Sequence, residues 1–232
     1  MNKQGIELGG SMKENIKKVI TYIYLVITCV GVSKAGPLDS LDIGEIGRAK
    51  QVLQNLRNVP QARAFSPSPA PQSEILLIER RPVEKGTERS APRLVDVYSY
   101  NYETNKLNQT VIDINTNAVQ SVTESQGVQL PLIEKEIRQA IDLVFNDPQQ
   151  LQLLNQEYQR LTGQTLTSVD QVKVKAFTFL GDSLPGVVNE DAKNCGIHRC
   201  AQLLLYTSDS VAFEISPVID LSTKKIIQNI NF

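Results

Sequence analysis

A short motif occurs twice in this chain, once near its middle and once close to its C-terminal end. Val111–Thr116 has the sequence VIDINT and Val218–Thr223 has VIDLST, and Val119 and Ile226 then fall in the same register. Each copy follows a pair of strand-like segments, and each half of the chain begins with helical periodicity. An internal repeat of this kind indicates two copies of one supersecondary unit. We therefore predict two tandem units with a boundary near Gly127.

The spacing of apolar residues predicts the helices of both units. The first helix carries Ile46, Ala49, Leu53 and Leu56 on one side, with Asp42 and Glu45 in capping-box relation at its start. The second carries Ile133, Ile137, Ala140, Ile141 and Val144, with Pro131 in its first turn. Asp147-Pro148 ends that helix and starts another, for which Gly163 is the predicted C-terminal cap.

Alternating apolar residues between turn signals predict the strands. Those of the first unit are Glu74–Arg80, Leu94–Tyr102, Leu107–Ile114 and Ala118–Thr123. Those of the second unit are Gln171–Leu180, Arg199–Thr207, Val211–Ser216, Val218–Leu221 and Lys225–Ile230. The second unit has five such segments, one more than the four-stranded antiparallel sheet that we predict for each unit. In each unit a helix covers one face of that sheet, so the predicted fold class is α+β. A Pro-rich connector, residues 58–73, joins the first helix to the first strand.

The N-terminal segment, residues 1–35, has the pattern of a signal peptide. Lys13, Lys17 and Lys18 form a basic region before an apolar run, Val19–Val32, which is short for a membrane span. Small residues at Ser33 and Ala35 predict cleavage after Ala35, and an uncleaved signal anchor is the alternative. The predicted mature protein is secreted or periplasmic and does not span the membrane. Its two domains are residues 36–127 and 128–232.

The charge distribution argues against nucleic-acid binding. The formal net charge is −1, and the lysines and arginines form no basic stripe. A protein that binds phosphate backbones needs concentrated positive charge. We therefore expect a protein partner or a small ligand, and no nucleic acid.

Three segments share their order with a known family. They are the start Pro37-Leu38-Asp39, the strand Val111-Ile112-Asp113, and Gly127-Val128-Gln129-Leu130-Pro131 before the second helix. Together they resemble the second and third N-terminal domains of copper amine oxidases, from Gly36 to about Leu180. In that family these are small cystatin-like α+β domains that precede a large catalytic domain. The resemblance implies two tandem cystatin-like units.

The same resemblance raises the question of catalysis. That family forms a quinone cofactor from a tyrosine in an Asn-Tyr-Asp/Glu context, and this chain contains Asn101-Tyr102-Glu103. The family holds its copper ion with three histidines, whereas this chain contains only His198. A copper site needs its imidazole ligands in number and geometry. We therefore predict that the chain is not an enzyme and has no catalytic residue and no cofactor.

The densest group of reactive side chains is Cys195-Gly196-Ile197-His198-Arg199-Cys200. In an exported chain, a close cysteine pair first indicates a disulfide between Cys195 and Cys200. The alternative is a metal site in which Cys195, His198 and Cys200 bind copper or zinc. We expect this segment to lie far from the Asn101-Tyr102-Glu103 hairpin.

Two weaker candidates complete the set. Tyr98, Tyr100 and Tyr102 lie on one face of a strand, where they either pack on the sheet or form a partner-binding face, since tyrosine is enriched at interfaces. The loop carboxylates Asp182, Glu190 and Asp191 are a remote candidate for acid–base chemistry in a diverged enzyme.

The sequence as a whole predicts an exported, non-catalytic binding or interaction protein built from two amine-oxidase-type N-terminal units. The alternative is an accessory partner of a separately encoded copper amine oxidase. In that case the Cys195, His198 and Cys200 loop would carry copper.

Overall fold

The computed structural model describes residues 36, 38–58, 73–87, 91–184 and 186–232. Within these ranges the chain forms three α-helices and two four-stranded antiparallel sheets, which confirms the predicted α+β class. The helices are α1 (Ile43–Asn58), α2 (Glu134–Asn146) and α3 (Pro148–Thr162). The strands are β1 (Ser73–Arg80), β2 (Leu94–Asn101), β3 (Lys106–Asp113), β4 (Ala118–Ser125), β5 (Val172–Thr178), β6 (Cys200–Thr207), β7 (Ile215–Asp220) and β8 (Lys225–Asn231).

The elements divide into two units with the same order of secondary structure. The first unit is α1 with β1–β4, and the second unit is α2 and α3 with β5–β8. In both sheets each strand pairs with its neighbours in sequence, so each sheet is an antiparallel meander. The boundaries of the two domains along the chain stay a prediction.

In the first unit, α1 packs on one face of the sheet. Ala49 and Leu53 of α1 lie against Val95, Val97 and Ile112 of the central strands. This core is small because the apolar stripe of the helix ends at Leu53. Leu56, which the spacing placed on the same stripe, is 42% exposed.

The start of α1 follows the predicted capping box. Asp42 Oδ1 accepts a hydrogen bond from the Glu45 amide, and Glu45 Oε2 accepts one from the Asp42 amide. These bonds satisfy backbone donors that have no partner inside the helix. They also place the Glu45 carboxylate at the N-terminal end of α1.

The repeated motif closes the same turn in both units. Oδ1 of Asp113 accepts hydrogen bonds from the amides of Asn115 and Thr116, two and three residues further along the chain. Oδ1 of Asp220 accepts the equivalent bonds from the amides of Ser222 and Thr223. The register shifts at equivalent points, between Val111 and Ile112 and between Val218 and Ile219. The repeat therefore extends from sequence to backbone geometry.

In the second unit, two helices cover one face of the sheet. The core there is formed by Ala140, Val144, Leu154 and Tyr158 of the helices and by Ala201, Leu203, Leu205 and Ile219 of the strands. A smaller cluster on the opposite face joins Phe179, Cys200, Val218 and Ile230 to Ala192 of the loop before β6. The loop thus covers part of the face that the helices leave open.

The ends of the second unit's helices agree with the local signals, with one exception. Asp147 Oδ1 accepts hydrogen bonds from the amides of Gln149 and Gln150 and so caps α3. Gly163 ends α3 with a left-handed φ of 74°. Pro131, predicted in the first turn of α2, precedes the helix, which begins at Glu134 because Glu136 Oε2 accepts a hydrogen bond from the Ile133 amide and so caps the first turn.

One strand prediction is wrong. The sequence pattern placed separate strands at Val211–Ser216 and Val218–Leu221, but the structure has the single strand β7, which runs through Pro217. Pairing of β7 with β6 stops at Gln202–Val218, so the missing amide of Pro217 breaks no bond of that ladder. The Ser216 hydroxyl instead donates to the Leu203 carbonyl, which extends the contact between the strands.

Two sequence predictions lie outside the described residues. They are the signal peptide of residues 1–35 and most of the Pro-rich connector of residues 58–73. In the part of the chain that the structure does describe, no helix combines the length and the apolar character that crossing a membrane requires.

Candidate functional site

A buried arginine–glutamate pair holds the start of β6 against the start of α2. Arg199 is fully buried and Glu136 is 2% exposed. Arg199 Nε donates to Glu136 Oε1 at 2.5 Å, and its Nη2 donates to Oε2 at 2.8 Å. The remaining guanidinium donors bind the Gln129 side-chain oxygen and the carbonyls of Leu130 and Pro131. All five arginine donors therefore have partners.

The first unit contains the same arrangement. Arg93, directly before β2, donates from Nε and Nη2 to the two carboxylate oxygens of Glu45. Its other donors bind the carbonyls of Gly36, Asp39 and Ser40. The hydrogen bonds from Arg93 hold the pKa of the Glu45 carboxyl below its usual value, and the Glu45 carboxylate raises the pKa of Arg93.

The Arg93–Glu45 and Arg199–Glu136 networks are equivalent contacts in the two repeated units. In each unit the glutamate caps the first turn of a helix, and the arginine joins that turn and the preceding loop to the central part of the sheet. Removing one partner of such a buried pair leaves an uncompensated charge, which is strongly destabilising. Sequence reasoning identified Glu45 as a cap but missed both arginines. The available signal was that each arginine directly precedes the second strand of its sheet.

The two units meet at the second network. The Tyr102 hydroxyl, at the end of the first unit's β2, donates to Glu136 Oε1 at 2.6 Å. The Tyr100 hydroxyl donates to the Ile197 carbonyl at 3.0 Å, and its ring lies 5.8 Å from the Arg199 guanidinium carbon. We call the contact among Tyr100, Tyr102, Glu136 and Arg199 the joint. Its four side chains come from both units.

Burial controls the ionisation of the two joint tyrosines. Tyr100 is 1% exposed, and burial raises the pKa of its hydroxyl. Burial, followed by the neighbouring Glu136 carboxylate, raises the pKa of Tyr102 far above its usual value. Both hydroxyls act as hydrogen-bond donors. The rings of Tyr100 and Tyr102 pack edge to face with centroids 5.2 Å apart.

The cysteine segment, residues 195–200, lies beside the joint and also contacts the first unit. Cys195 and Cys200 are joined in a disulfide, as predicted. Within the loop that it closes, the Ile197 carbonyl accepts from Tyr100, and the Gly196 carbonyl accepts from the Gln129 side chain at 2.8 Å. The expectation that this segment lies far from the Asn101-Tyr102-Glu103 hairpin is therefore wrong. Folding brings them together because the second unit docks on the hairpin end of the first sheet.

His198 lies in the same loop and pairs with a buried carboxylate. Its Nδ1 is 2.7 Å from Asp220 Oδ2, and the Asp220 side chain is 6% exposed. The other oxygen of Asp220 is occupied by the amides of Ser222 and Thr223. A metal ion bound by Cys195, His198 and Cys200 would require reduction of the disulfide, and that metal site stays an untested prediction.

The remaining candidates are placed as follows. Asn101 Oδ1 accepts from the amides of Glu103 and Thr104, so Asn101-Tyr102-Glu103 forms the β2–β3 turn. Tyr98 is partly exposed, and its hydroxyl accepts from the Gln109 side chain at 3.2 Å. A partner-binding role for Tyr98, Tyr100 and Tyr102 stays a prediction, although the second unit already covers Tyr100. Asp182, Glu190 and Asp191 lie exposed on the loop before β6, and Glu190 pairs with Lys193.

A cleft of about 360 Å³ opens beside the joint. Tyr102, Glu136, Gln139 and Lys224 line it, and an ion pair between Lys135 and Glu74 spans the two units at its edge. The buried oxygens of Glu136 are already occupied by Tyr102 and Arg199. Most of the polar groups described at this cleft therefore already form hydrogen bonds or ion pairs within the protein.

Comparison with known proteins supports a related fold. No family model matches the chain, and no curated protein matches it. Among solved structures, it is similar to a copper-containing benzylamine oxidase from Hansenula polymorpha, with 17% sequence identity and a TM-score of 0.55. The match covers 85% of this chain and 30% of that chain. The likeness shows the fold alone, and the correspondence to the second and third N-terminal domains stays a prediction.

Proposed function

We propose that this chain is an exported, non-catalytic interaction protein whose two units form a binding scaffold. The observation that carries this proposal is that the reactive side chains around the joint are engaged with one another. Arg199 is bound to Glu136, His198 to Asp220, and Cys195 to Cys200. The Arg199–Glu136 pair and the disulfide hold the segment of the second unit that contacts Tyr100 and Tyr102 of the first unit.

Two further observations support the proposal. The match to the benzylamine oxidase covers only 30% of that chain, which fits a non-catalytic portion of such an enzyme. This chain also contains a single histidine, whereas the copper site of that family uses three. The partial coverage and the residue count thus support the proposed scaffold role.

Export is the second part of the proposal. Disulfides persist in oxidising compartments and are rare in the cytosol. The Cys195–Cys200 disulfide therefore fits a secreted or periplasmic protein, as does the signal-like pattern of residues 1–35. The predicted cleavage after Ala35 is part of the same proposal.

Purification of the protein from its native envelope or medium, without reductant, tests both parts. We expect the N-terminus of the mature chain to begin near Gly36, no free thiol at Cys195 or Cys200, and no stoichiometric metal by mass spectrometry. One equivalent of copper together with two free thiols would contradict the proposal and favour a metal-carrying accessory protein. An N-terminus that retains residues 1–35 in the mature chain would contradict cleavage.

A further inference from the structure

β5 is an edge strand with one open side. It pairs with β6 in the order β5-β6-β7-β8, and no strand within the described ranges pairs with its other side. The Phe179 amide donates to the Cys200 carbonyl, so residues that alternate with Phe179 direct their backbone groups toward β6. The amides and carbonyls of Val174 and Ala176 therefore point away from the sheet, whereas the Val172 amide already donates to the Val169 carbonyl. Such a row of backbone groups can pair with an added strand.

The side chains of β5 that face away from the helices are basic and aromatic. Lys173, Lys175 and Phe177 alternate on this face, and Phe177 is 51% exposed. The Lys175 ammonium lies 5.6 Å from the centre of the Tyr206 ring on β6. The loop that covers the Phe179 end of the same face does not bury these residues. The result is an exposed strip beside an open strand edge.

The charge of this strip is not compensated by carboxylates. Lys173 Nζ binds the Ser208 carbonyl at 2.8 Å and the Ser210 hydroxyl at 3.4 Å, and both acceptors are neutral. Lys175 contacts the Tyr206 ring, and neither lysine forms an ion pair among the described residues. By contrast, Lys106 and Lys135 each contact a glutamate. An acidic group approaching β5 would therefore meet two positive charges that have no anionic partner.

We propose that β5 is a docking edge for an extended acidic segment of a protein partner, which adds to the second sheet as a fifth strand. The proposal rests on the scaffold function above and names the surface and the partner's chemistry. Main-chain hydrogen bonds supply affinity in this mode, and alternate side chains supply specificity. Carboxylates on alternate residues of the partner would lie beside Lys173 and Lys175, and an apolar residue would lie beside Phe177.

A second copy of this chain is a poorer occupant of the same edge. Pairing of two β5 strands would bring lysines of one copy close to lysines of the other. Like charges on opposed strands destabilise a sheet, and edge lysines are a common protection against self-association. The same lysines attract an acidic strand, so the charges discriminate between the two occupants.

The test uses the full chain with its disulfide intact and a fluorescein-labelled peptide in which glutamate alternates with valine. Fluorescence anisotropy measures binding, and amide chemical shifts with hydrogen exchange locate it. We expect binding that weakens with added salt, and new exchange protection at Val174 and Ala176. Lys173→Glu with Lys175→Glu should weaken binding by about tenfold or more, because two attractions become two repulsions.

A double variant with the same change of net charge provides the control. Lys50 on α1 and Lys85 in the β1–β2 loop are exposed lysines of the first unit. Lys50→Glu with Lys85→Glu should leave peptide binding unchanged, and a peptide of alternating lysine and valine should not bind. Equal weakening by both double variants, protection that appears on β4 instead, or no binding at millimolar peptide would each overturn the proposal. Those outcomes leave the scaffold function standing, since metal and thiol content decide it separately.

Discussion

The hydroxyl of Tyr102 donates a 2.6 Å hydrogen bond to Oε1 of Glu136, which links the end of the first sheet to the first turn of the second unit's helix. The same oxygen accepts a bond from Arg199, and the other oxygen of Glu136 accepts from Arg199 and the Ile133 amide. The Glu136 carboxylate therefore caps α2, neutralises the buried Arg199 and accepts a hydrogen bond from the first unit.

Tyr102→Phe should destabilise the protein by about 1.5–3 kcal/mol, because it removes a hydrogen bond to a charged group. The ring and its edge-to-face contact with Tyr100 are retained. Urea unfolding measures the change, with Tyr206→Phe as a control because Tyr206 is partly exposed and its hydroxyl bonds no carboxylate among the described residues. An equal loss of stability in the two variants would show that the hydrogen bond from Tyr102 to Glu136 contributes no more than a tyrosine hydroxyl outside the joint.

The stability of the protein should fall as the pH rises above about 10, the usual pKa of tyrosine in an unfolded chain. Burial raises the pKa of Tyr102 in the folded state, so the unfolded chain loses this proton first. Stability decreases with pH wherever the folded state binds more protons. The slope of unfolding free energy against pH should be shallower in Tyr102→Phe than in the wild-type chain. Identical slopes above pH 10 would contradict the raised pKa.

Arg199→Met should cost about 3–5 kcal/mol, because it leaves the Glu136 carboxylate buried without its cation. Adding Glu136→Leu to this variant should recover part of the loss, since the unpaired charge is then removed. Arg93→Met, which unpairs Glu45 in the first unit, should have a similar effect. Thermal unfolding of the single and double variants gives the coupling energy. Additive losses in the Arg199 and Glu136 pair would show that the two side chains do not act together.

The loss of the disulfide should loosen the joint as well as the loop. Cys195→Ser with Cys200→Ser should cost about 2 kcal/mol, the value for so short a closed loop. Because the loop carbonyl of Ile197 accepts from Tyr100, we expect faster hydrogen exchange at Ile197 and at the amides of the β2–β3 turn. Exchange in β4, which lies at the far edge of the first sheet, should be unchanged. Faster exchange confined to the loop itself would contradict a link between the disulfide and the joint.

The features that could be predicted from sequence are those set by short-range contacts. The caps at Asp42, Asp147 and Gly163 each use neighbours within a few residues, and local chemistry selects those residue types. The repeated motif was visible because Asp113 and Asp220 close identical turns. The alternation of apolar residues likewise placed most strands, because it follows from the pleat of a sheet.

The features that could not be predicted depend on distant partners. Arg93 bonds a residue 48 positions away, and Arg199 bonds one 63 positions away, so neither pair leaves a local pattern. The contact of Tyr100 with Ile197 spans 97 positions and exists only after the units dock. The sequence pattern predicts a break between Ser216 and Val218, but β7 continues through Pro217 because its register with β6 requires no hydrogen bond from that position.

We propose that this chain is a non-catalytic scaffold, and measuring the release of peroxide from amines decides whether that is so. The full, disulfide-intact chain would be incubated with benzylamine and oxygen, both with added copper and without it, and peroxide would be measured. We predict no peroxide above the buffer control in either condition, with Tyr102 intact by mass spectrometry. Peroxide release that depends on copper and is abolished by Tyr102→Phe would contradict the claim.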